Sequence, residues 1–331
     1  RGGTSAEGRV GYRGPLVRAG DAPRIKLDLT DHERLVLPID RRQVHHPYSD
    51  LPQTGIQVST YCFEEVFAEK VRALAERLRP RDLYDVVHLY RRKELNPDLP
   101  QLMHALREKC AFKKIDVPDF ASIQVSPLIT ELQVSWAQML AHQLPELPPF
   151  DGFWRELPAV FDWLHGRADQ PVMAGFAVGA DTDASWRMPA MASSWRSLGI
   201  GAPMEVIRFA AANRLCVQLD YRKESGERTQ PVIEPYSLRR TRDGAFLLYG
   251  VKSDTGEDRS YRVDRIAGAT VTQRSFTARY LVELTETGVQ PVPVVARPAT
   301  TAAREVFRAQ KPSGSTAKSS IAGGPKYTFR C

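Results

Sequence analysis

The hydrophobic positions that follow Phe63 recur at helical spacing and predict an amphipathic helix. Lys70 lies on the same apolar stripe as these residues. An ammonium group that points inward requires a carboxylate, a phosphate or a bound nucleotide as its partner. The alternative is a snorkelling lysine, whose stem packs on the helix while its charge reaches water. The stripe consists of Phe63, Val66, Phe67, Val71 and Leu74.

A second helix is predicted immediately after the first. Pro80 disfavours helical geometry in the residue before it, so we expect the first helix to end just before this proline and another to begin just after it. Asp82 and Asp85 then share one face of the second helix. If the two helices pack antiparallel, one of these carboxylates approaches Lys70.

Alternating hydrophobic and polar residues predict short strands around this helical pair. Arg24–Leu29 alternates over its whole length, with Lys26 and Asp28 on its polar face. Val36–Pro38 and Ile56–Tyr61 are predicted as further strands. Strands and helices together indicate an α+β unit. The helical pattern continues from 99 to 164, so we predict one region over residues 1–165 with a helical extension.

The second half of the chain has a different pattern. Residues 166–202 are rich in Ala, Gly, Ser, Asp and Met and are predicted to be a linker. A short helix over Pro203–Arg214 precedes strands separated by turn signals, which is typical of a small β-barrel over residues 203–285. We expect a disordered tail over 286–331, ending in what resembles a zinc ribbon truncated at Cys331. The predicted strands are Leu215–Tyr221, Val232–Leu238, Ala245–Lys252 and Ser260–Val263.

Composition narrows the class of protein. A chain of 331 residues with 42% hydrophobic content has room for about two domains, and no apolar run approaches the roughly 20 residues that cross a bilayer, so no membrane partner is expected. The net charge of +7 makes an anionic partner plausible, nucleic acid first. The four cysteines are scattered without paired spacing, which is consistent with a reducing cytoplasm.

Three spaced motifs of the first half resemble a known family. Glu64-Glu65, the run Ala68–Leu74 and the run Arg79–Asp85 resemble the signature of AbiEii-type nucleotidyltransferase toxins. The resemblance implies a partial nucleotidyltransferase fold of the DNA polymerase β type. It also implies transfer of a nucleotide from an NTP, with Mg²⁺, to an RNA such as tRNA or to a protein. The setting would be toxin–antitoxin or phage defence, with a cognate antitoxin as partner.

The same resemblance assigns candidate roles to individual residues. It implies that Lys70 contacts the nucleotide phosphates and that Asp85 is an essential carboxylate. Asp28 would be a further acidic catalytic residue and a metal ligand, with Lys26 beside it as a nucleotide-binding residue. Asp82 is a candidate for nucleotide binding. Its position has an equally good structural explanation, because the N-terminus of a helix stabilises an acidic residue in its first turn.

One element of the superfamily is not found in this sequence. Transferases of this type place a Gly-Ser…Asp-x-Asp element ahead of the strand that carries the next acidic residue, and none precedes Ile25. The chain also starts at Arg1 without a methionine. We therefore expect a fragment that is catalytically incomplete, because carboxylates from both sides are needed to seat the metals.

The second half resembles the WYL domain, which has an SH3-like barrel and serves as a sensor of nucleic acid or ligand. The resemblance covers residues 203–285, although Ala245-Phe246-Leu247 stands where Trp-Tyr-Leu is usual. A non-catalytic nucleic-acid-binding regulator is therefore an alternative to the enzyme, and a protein-interaction adaptor is a third possibility. The candidate residues for nucleic-acid or ligand binding are Arg239, Arg240, Arg259, Arg262 and Arg265.

Overall fold

The computed structural model describes most of the chain up to residue 284. The described residues are 5–12, 23–30, 33–44, 49, 51–92, 96–169, 173–176, 179, 181–183, 186 and 201–284. The predicted tail 286–331, with its resemblance to a zinc ribbon, lies outside them, as does much of the predicted linker 166–202.

Four strands of the N-terminal part form two antiparallel hairpins. β1 (Ser5–Gly11) pairs with β2 (Arg24–Thr30), which confirms the predicted strand at this position. β3 (Asp40–Gln43) pairs with β4 (Gln57–Thr60). The predicted strand at Val36–Pro38 is wrong, because these residues have no strand partner among the described residues.

The segment at Val36 has a different source of hydrogen bonds. The backbone N–H groups of Val36 and Leu37 donate to the carboxylate of Glu65 at 3.1 and 3.0 Å. A buried backbone donor must find an acceptor, and here a helix side chain replaces the neighbouring strand. A period-two pattern of only three residues is too short to show whether these N–H groups donate to a neighbouring strand or to a helix side chain.

The helices follow the predicted positions closely. The first helix ends at Arg77, and Leu78 closes it in the left-handed conformation with φ of 43°. The next helix begins with Pro80 in its first turn, where a missing N–H costs nothing. The predicted helical extension is confirmed. The helices are α1 (Phe63–Arg77), α2 (Pro80–Arg91), α3 (Leu99–Lys113), α4 (Phe120–Gln124), α5 (Ile129–Leu140) and α6 (Phe150–Leu164).

The C-terminal part is a curled antiparallel sheet, or half-barrel, preceded by α7 (Gly201–Ala212). Its strand order is β10-β5-β7-β8-β9, and the two-residue β6 also pairs with β5. β10 was not predicted, because small and polar residues hide its alternation. The strands are β5 (Leu215–Arg222), β6 (Arg228–Thr229), β7 (Val232–Arg240), β8 (Phe246–Lys252), β9 (Asp258–Arg262) and β10 (Ile266–Ser275).

Two hydrophobic cores hold these parts together. One lies among α1 to α6 and includes Phe67, Leu83 and Phe153. The other lies between α7 and the sheet and includes Ile207 and Tyr236. The mixed architecture of a helical N-terminal part and an antiparallel C-terminal sheet is therefore confirmed. None of the helices in the described ranges is both long and apolar enough to cross a membrane.

Candidate active site

Lys70 and Asp85 form an ion pair between the first two helices. The Nζ atom of Lys70 lies 2.6 Å from an Oδ atom of Asp85, and the two side chains are 35% and 36% exposed. α1 carries the lysine and α2 the aspartate, and the short turn at Leu78 sets the helices side by side. The ammonium therefore meets the carboxylate that antiparallel packing predicted. Both groups remain within reach of a solute.

The pair lies in the wall of a cleft of about 300 Å³. α1 and α2 form one side of the cleft, and residues around the end of α7 and after β10 form the other. Such a volume is at the lower end of the range for small-ligand sites. The lining residues are Val66, Lys70, Tyr84, Asp85, His88, Leu89, Arg91, Arg92, Ala212, Arg214, Val282 and Leu284.

Asp82 lies away from this cleft, one turn earlier on α2. Its side chain is 1% exposed, and both of its carboxylate oxygens accept hydrogen bonds from Arg77 at 2.7 and 2.8 Å. This hydrogen bonding raises the pKa of Arg77. Asp82 thus ties the end of α1 to the start of α2, which is an ordinary structural role for an acidic residue in a first helical turn.

Lys26 and Asp28 pair with each other on the β1–β2 hairpin. Their charged atoms are 3.0 Å apart, and Lys26 also lies 3.2 Å from Glu7. The hydrogen bonds to Asp28 and Glu7 raise the pKa of Lys26. Within the described ranges neither residue makes an ion pair with Lys70 or Asp85, and neither lines the cleft. Their assignment to the site stays a prediction.

The described residues do not fit a resident magnesium ion. No group of three or more His, Cys, Asp or Glu side chains in the described ranges has the arrangement of a metal site. Asp85 is the only carboxylate among the residues that line the cleft, and Lys70 already occupies one of its oxygens. Magnesium requires a near-octahedral set of oxygen ligands, which this single side chain does not supply.

The two glutamates at the start of α1 hold the neighbouring chain rather than line the cleft. Glu64 accepts a hydrogen bond from the backbone N–H of Asp98 at 2.9 Å. Glu65 is 1% exposed and lies 2.8 Å from the equally buried Lys109 of α3. Lys109 falls on the apolar stripe of its helix, as Lys70 does. The same sequence signal would therefore have identified it.

A hydrogen-bonded junction connects α2 to the end of α7. The hydroxyl group of Tyr84 donates to Oδ1 of Asn213 at 2.9 Å, and Nε2 of His88 lies 3.2 Å from the same oxygen. Arg91 donates to the carbonyl oxygen of Ala212 at 2.9 Å. Burial, and next the charge of Arg91, lowers the pKa of His88 well below its usual range. The ring is therefore neutral, with a proton on Nε2. Sequence spacing gave no signal for this junction, since its partners are far apart in the chain.

The candidate arginines of the sheet do not share one face. Arg239 and Arg262 both lie opposite Leu247 in the strand register, whereas Arg259 lies opposite Gly250. Positions 247 and 250 of one strand point to opposite faces of the sheet. Arg240, opposite Phe246, shares a face with Arg259.

Four of these arginines also have carboxylate partners in their own chain. Arg259 lies 2.8 Å from Glu257, and Arg262 lies 2.9 Å from Asp264. Arg265 pairs with Glu224 and Arg239 pairs with Glu283. The pairs of Arg259 and Arg262 are exposed and contribute little stability, so an incoming phosphate can replace the carboxylate, whereas the Arg239–Glu283 pair is largely buried. Nucleic-acid binding stays a prediction.

Comparison with known families agrees with the two halves of the structure. Residues 2–165 match the family "Nucleotidyl transferase AbiEii toxin, Type IV TA system", and residues 203–271 match the family "WYL domain". The chain joins an AbiEii region to a WYL domain. The cleft with Lys70 and Asp85 is thus built by the AbiEii region and bordered by the WYL domain.

One solved structure with partial similarity is that of proteasome accessory factor B/C (PafBC) of Arthrobacter aurescens. Sequence identity is 15% and the TM-score is 0.21, and the match covers 48% of this chain. The matched part spans 23% of the length of that chain. No curated protein sequence matches this chain.

Proposed function

We propose that this protein is a cytoplasmic nucleotidyltransferase of the AbiEii toxin type, which transfers a nucleotide from an NTP to the end of an RNA, tRNA first. The WYL domain would act as its regulatory sensor, in a toxin–antitoxin system that serves phage defence. The family match supports the reaction class. Cys62, Cys110 and Cys216 carry free thiols, which is compatible with a reducing compartment.

The observation that carries the proposal is the Lys70–Asp85 pair in a cleft whose other charged side chains are arginines. Nucleotidyl transfer depends mainly on positioning and on the stabilisation of charge that develops on the phosphates. Lys70 is placed to donate to the triphosphate oxygens. Its ammonium then leaves Asp85, whose carboxylate is freed to accept a proton.

The proposed reaction follows from these two groups. The substrate is the magnesium complex of the NTP. An acceptor hydroxyl oxygen attacks the α-phosphorus, the bond from this phosphorus to the bridging oxygen of the β-phosphate breaks, and pyrophosphate leaves. Asp85 takes the hydroxyl proton, and Lys70 offsets the charge that the leaving group gains.

The alternative of a purely nucleic-acid-binding regulator has less support. It requires a continuous basic face on the WYL domain, but the register places Arg239 and Arg262 on one face and Arg259 on the other. A protein with this function would bind single-stranded RNA with an affinity that falls steeply with salt. The same binding would be unaffected by changes at Lys70 or Asp85.

The test is transfer of label from α-³²P-NTPs. The full-length natural protein is incubated with each NTP and with a tRNA pool. We expect label on RNA, and its loss in the Lys70→Ala and Asp85→Asn variants. Lys223→Ala and Asp254→Asn, at exposed turns of the WYL domain, are the matched controls and should transfer normally.

The possible results separate the parts of the proposal. Label on a protein instead of RNA would keep the transferase and change the acceptor. No label with any NTP, or equal transfer by wild type and by the two cleft variants, would contradict the proposal.

A further inference from the structure

Asn213 is a buried amide that hydrogen-bonds to two helices at once. It follows the last residue of α7 and is 2% exposed. Its Nδ2 donates to the backbone carbonyl oxygen of Phe209, in its own helix, at 3.0 Å. This bond orients the amide, so that Oδ1 accepts hydrogen bonds from the hydroxyl group of Tyr84 and from Nε2 of His88. One side chain of the WYL domain thus holds two side chains of the AbiEii region.

These contacts lie along one stripe of α2. Tyr84, His88 and Arg91 follow each other at intervals of four and three residues, and Arg91 donates to the carbonyl oxygen of Ala212 at 2.9 Å. At 100° per residue, the stripe lies between the buried apolar face of α2 and the side that carries Asp85. The end of α7 therefore opposes any rotation of α2 about its own axis.

Directional contacts fix what apolar packing leaves free. Burial of apolar surface is non-directional, whereas a hydrogen bond weakens as its length and angle depart from the ideal. Side-chain atoms lie about 5–6 Å from a helix axis, so a rotation of about 10° moves them by about 1 Å. Nζ of Lys70 and the carboxylate of Asp85 are 2.6 Å apart. A misplacement of about 1 Å at such a pair can lower a reaction rate about 10²-fold.

We propose that Asn213 is a positioning residue for nucleotide transfer. By accepting hydrogen bonds from Tyr84 and His88, it fixes the rotation of α2 and with it the place of Asp85 opposite Lys70. This inference rests on the proposed function. The WYL domain then controls the rate of transfer through the contact of one amide with α2.

The same hydrogen bonds have a purely structural explanation. The hydroxyl group of Tyr84 and the ring N–H of His88 need an acceptor at this interface, and Asn213 supplies it. If this were the whole role of the amide, its loss would lower the stability of the protein. The variant would still transfer nucleotide at the wild-type rate wherever it remains folded.

The experiment measures kcat and the KM for NTP in the full-length natural protein, at a temperature where circular dichroism shows each variant to be folded. Asn213→Leu is the main variant, because leucine has a similar size but no acceptor. We expect kcat to fall about tenfold or more, because Asp85 is misplaced. The KM should change less than about twofold, because Lys70 contacts the phosphates from α1. Asn213→Asp keeps an acceptor oxygen and should recover part of kcat.

Further variants separate positioning from other effects. Tyr84→Phe removes one hydrogen bond but keeps the ring that stacks on Phe153, so kcat should fall by a smaller factor. The double variant Asn213→Leu/Tyr84→Phe should have the same kcat as Asn213→Leu, because both changes remove the same contact. Gly250→Ala is the control for stability. Its added Cβ disturbs the WYL sheet at Glu234 and should leave kcat unchanged.

The outcomes distinguish this inference from the function on which it rests. If wild type transfers no nucleotide, or if Lys70→Ala transfers as well as wild type, the proposed function fails and this inference fails with it. If Lys70→Ala abolishes transfer but folded Asn213→Leu keeps the wild-type kcat, only this inference is overturned. It is also overturned if Gly250→Ala lowers kcat equally, or if Asn213→Leu raises KM alone. Should Asn213→Leu not fold, Tyr84→Phe decides by the same criteria.

Discussion

Replacement of the buried Lys109 by methionine tests how α1 is held in place. The side chain of Lys109 is 2% exposed. Its ammonium lies 2.8 Å from Glu65 and 3.3 Å from Glu69, and it donates to the carbonyl oxygen of Arg34 at 3.0 Å. Methionine has a similar length but no charge. The variant therefore removes the cation and leaves most of the packing.

The expected loss of stability follows from what remains around the carboxylates. Glu69 keeps its ion pair with Arg72, but Glu65 is 1% exposed and, among the described residues, keeps only the backbone N–H groups of Val36 and Leu37 as partners. Removal of one partner of a buried ion pair costs about 3–5 kcal/mol. Because two N–H donors still stabilise Glu65, we expect the lower end, about 3 kcal/mol.

Urea denaturation followed by circular dichroism measures this loss. With a slope of about 2 kcal/mol per molar urea, the midpoint of unfolding of the helical part should fall by about 1.5 M. Arg107→Ala, on the exposed face of the same helix, should change the free energy of unfolding by less than about 0.5 kcal/mol. The double variant Lys109→Met/Glu65→Gln should recover part of the loss, because it no longer buries an unpaired charge. A Lys109→Met variant as stable as the Arg107→Ala control would refute the reasoning.

Three further predictions follow from the same structure. The pKa of His88 is lowered in the folded protein, so the unfolded chain binds the extra proton first. The stability that the neutral His88 contributes should therefore be fully present above the unfolded pKa of about 6.5, and the free energy of unfolding should fall by up to about 1.4 kcal/mol per pH unit below it. A His88→Gln variant should lose this dependence when denaturation is measured from pH 7.5 to 5. Asp82→Asn should lower the free energy of unfolding by about 1–3 kcal/mol while leaving NTP affinity unchanged in calorimetry; a selective loss of affinity would instead support its predicted nucleotide-binding role. Gly250→Ala should destabilise the WYL domain by about 1–3 kcal/mol in thermal melts, because a Cβ atom there would lie 2.8 Å from the backbone oxygen of Glu234. Gly268→Ala in the same sheet, where the nearest atom to an added Cβ lies 3.8 Å away, is the control for the steric part of the loss.

Much of the helical part followed from local signals in the sequence. Pro80 marked the boundary between α1 and α2, and the apolar stripe placed Lys70 on the face that meets α2. Period-two alternation likewise identified β5, β7 and β8. Helical spacing and strand alternation are both local patterns that repeat along the chain, so the sequence alone reveals them. The alternation did not identify β10, because its small and threonine residues differ little in hydrophobicity from one position to the next.

Local sequence patterns could not predict which residues of the AbiEii region contact the WYL domain. Tyr84 and Asn213 form a hydrogen bond although they are 129 positions apart in the sequence, and the local pattern around neither residue predicts this contact. The roles of Asp82 and Asp85 also depended on packing. The two lie on one helix a turn apart, yet Arg77 neutralises the first while the second faces the cleft.

A charge swap tests the central claim most directly, since it separates a structural ion pair from a reactive one. The double variant Lys70→Asp/Asp85→Lys keeps one positive and one negative side chain at the 2.6 Å contact, so its thermal stability should stay close to that of wild type. Single-turnover transfer of α-³²P-labelled nucleotide by the same variant should fall by about 10²-fold or more, because neither charge then lies where the phosphates and the hydroxyl proton require it. Transfer restored to the wild-type rate by the swap would contradict the account and reduce the pair to a structural contact.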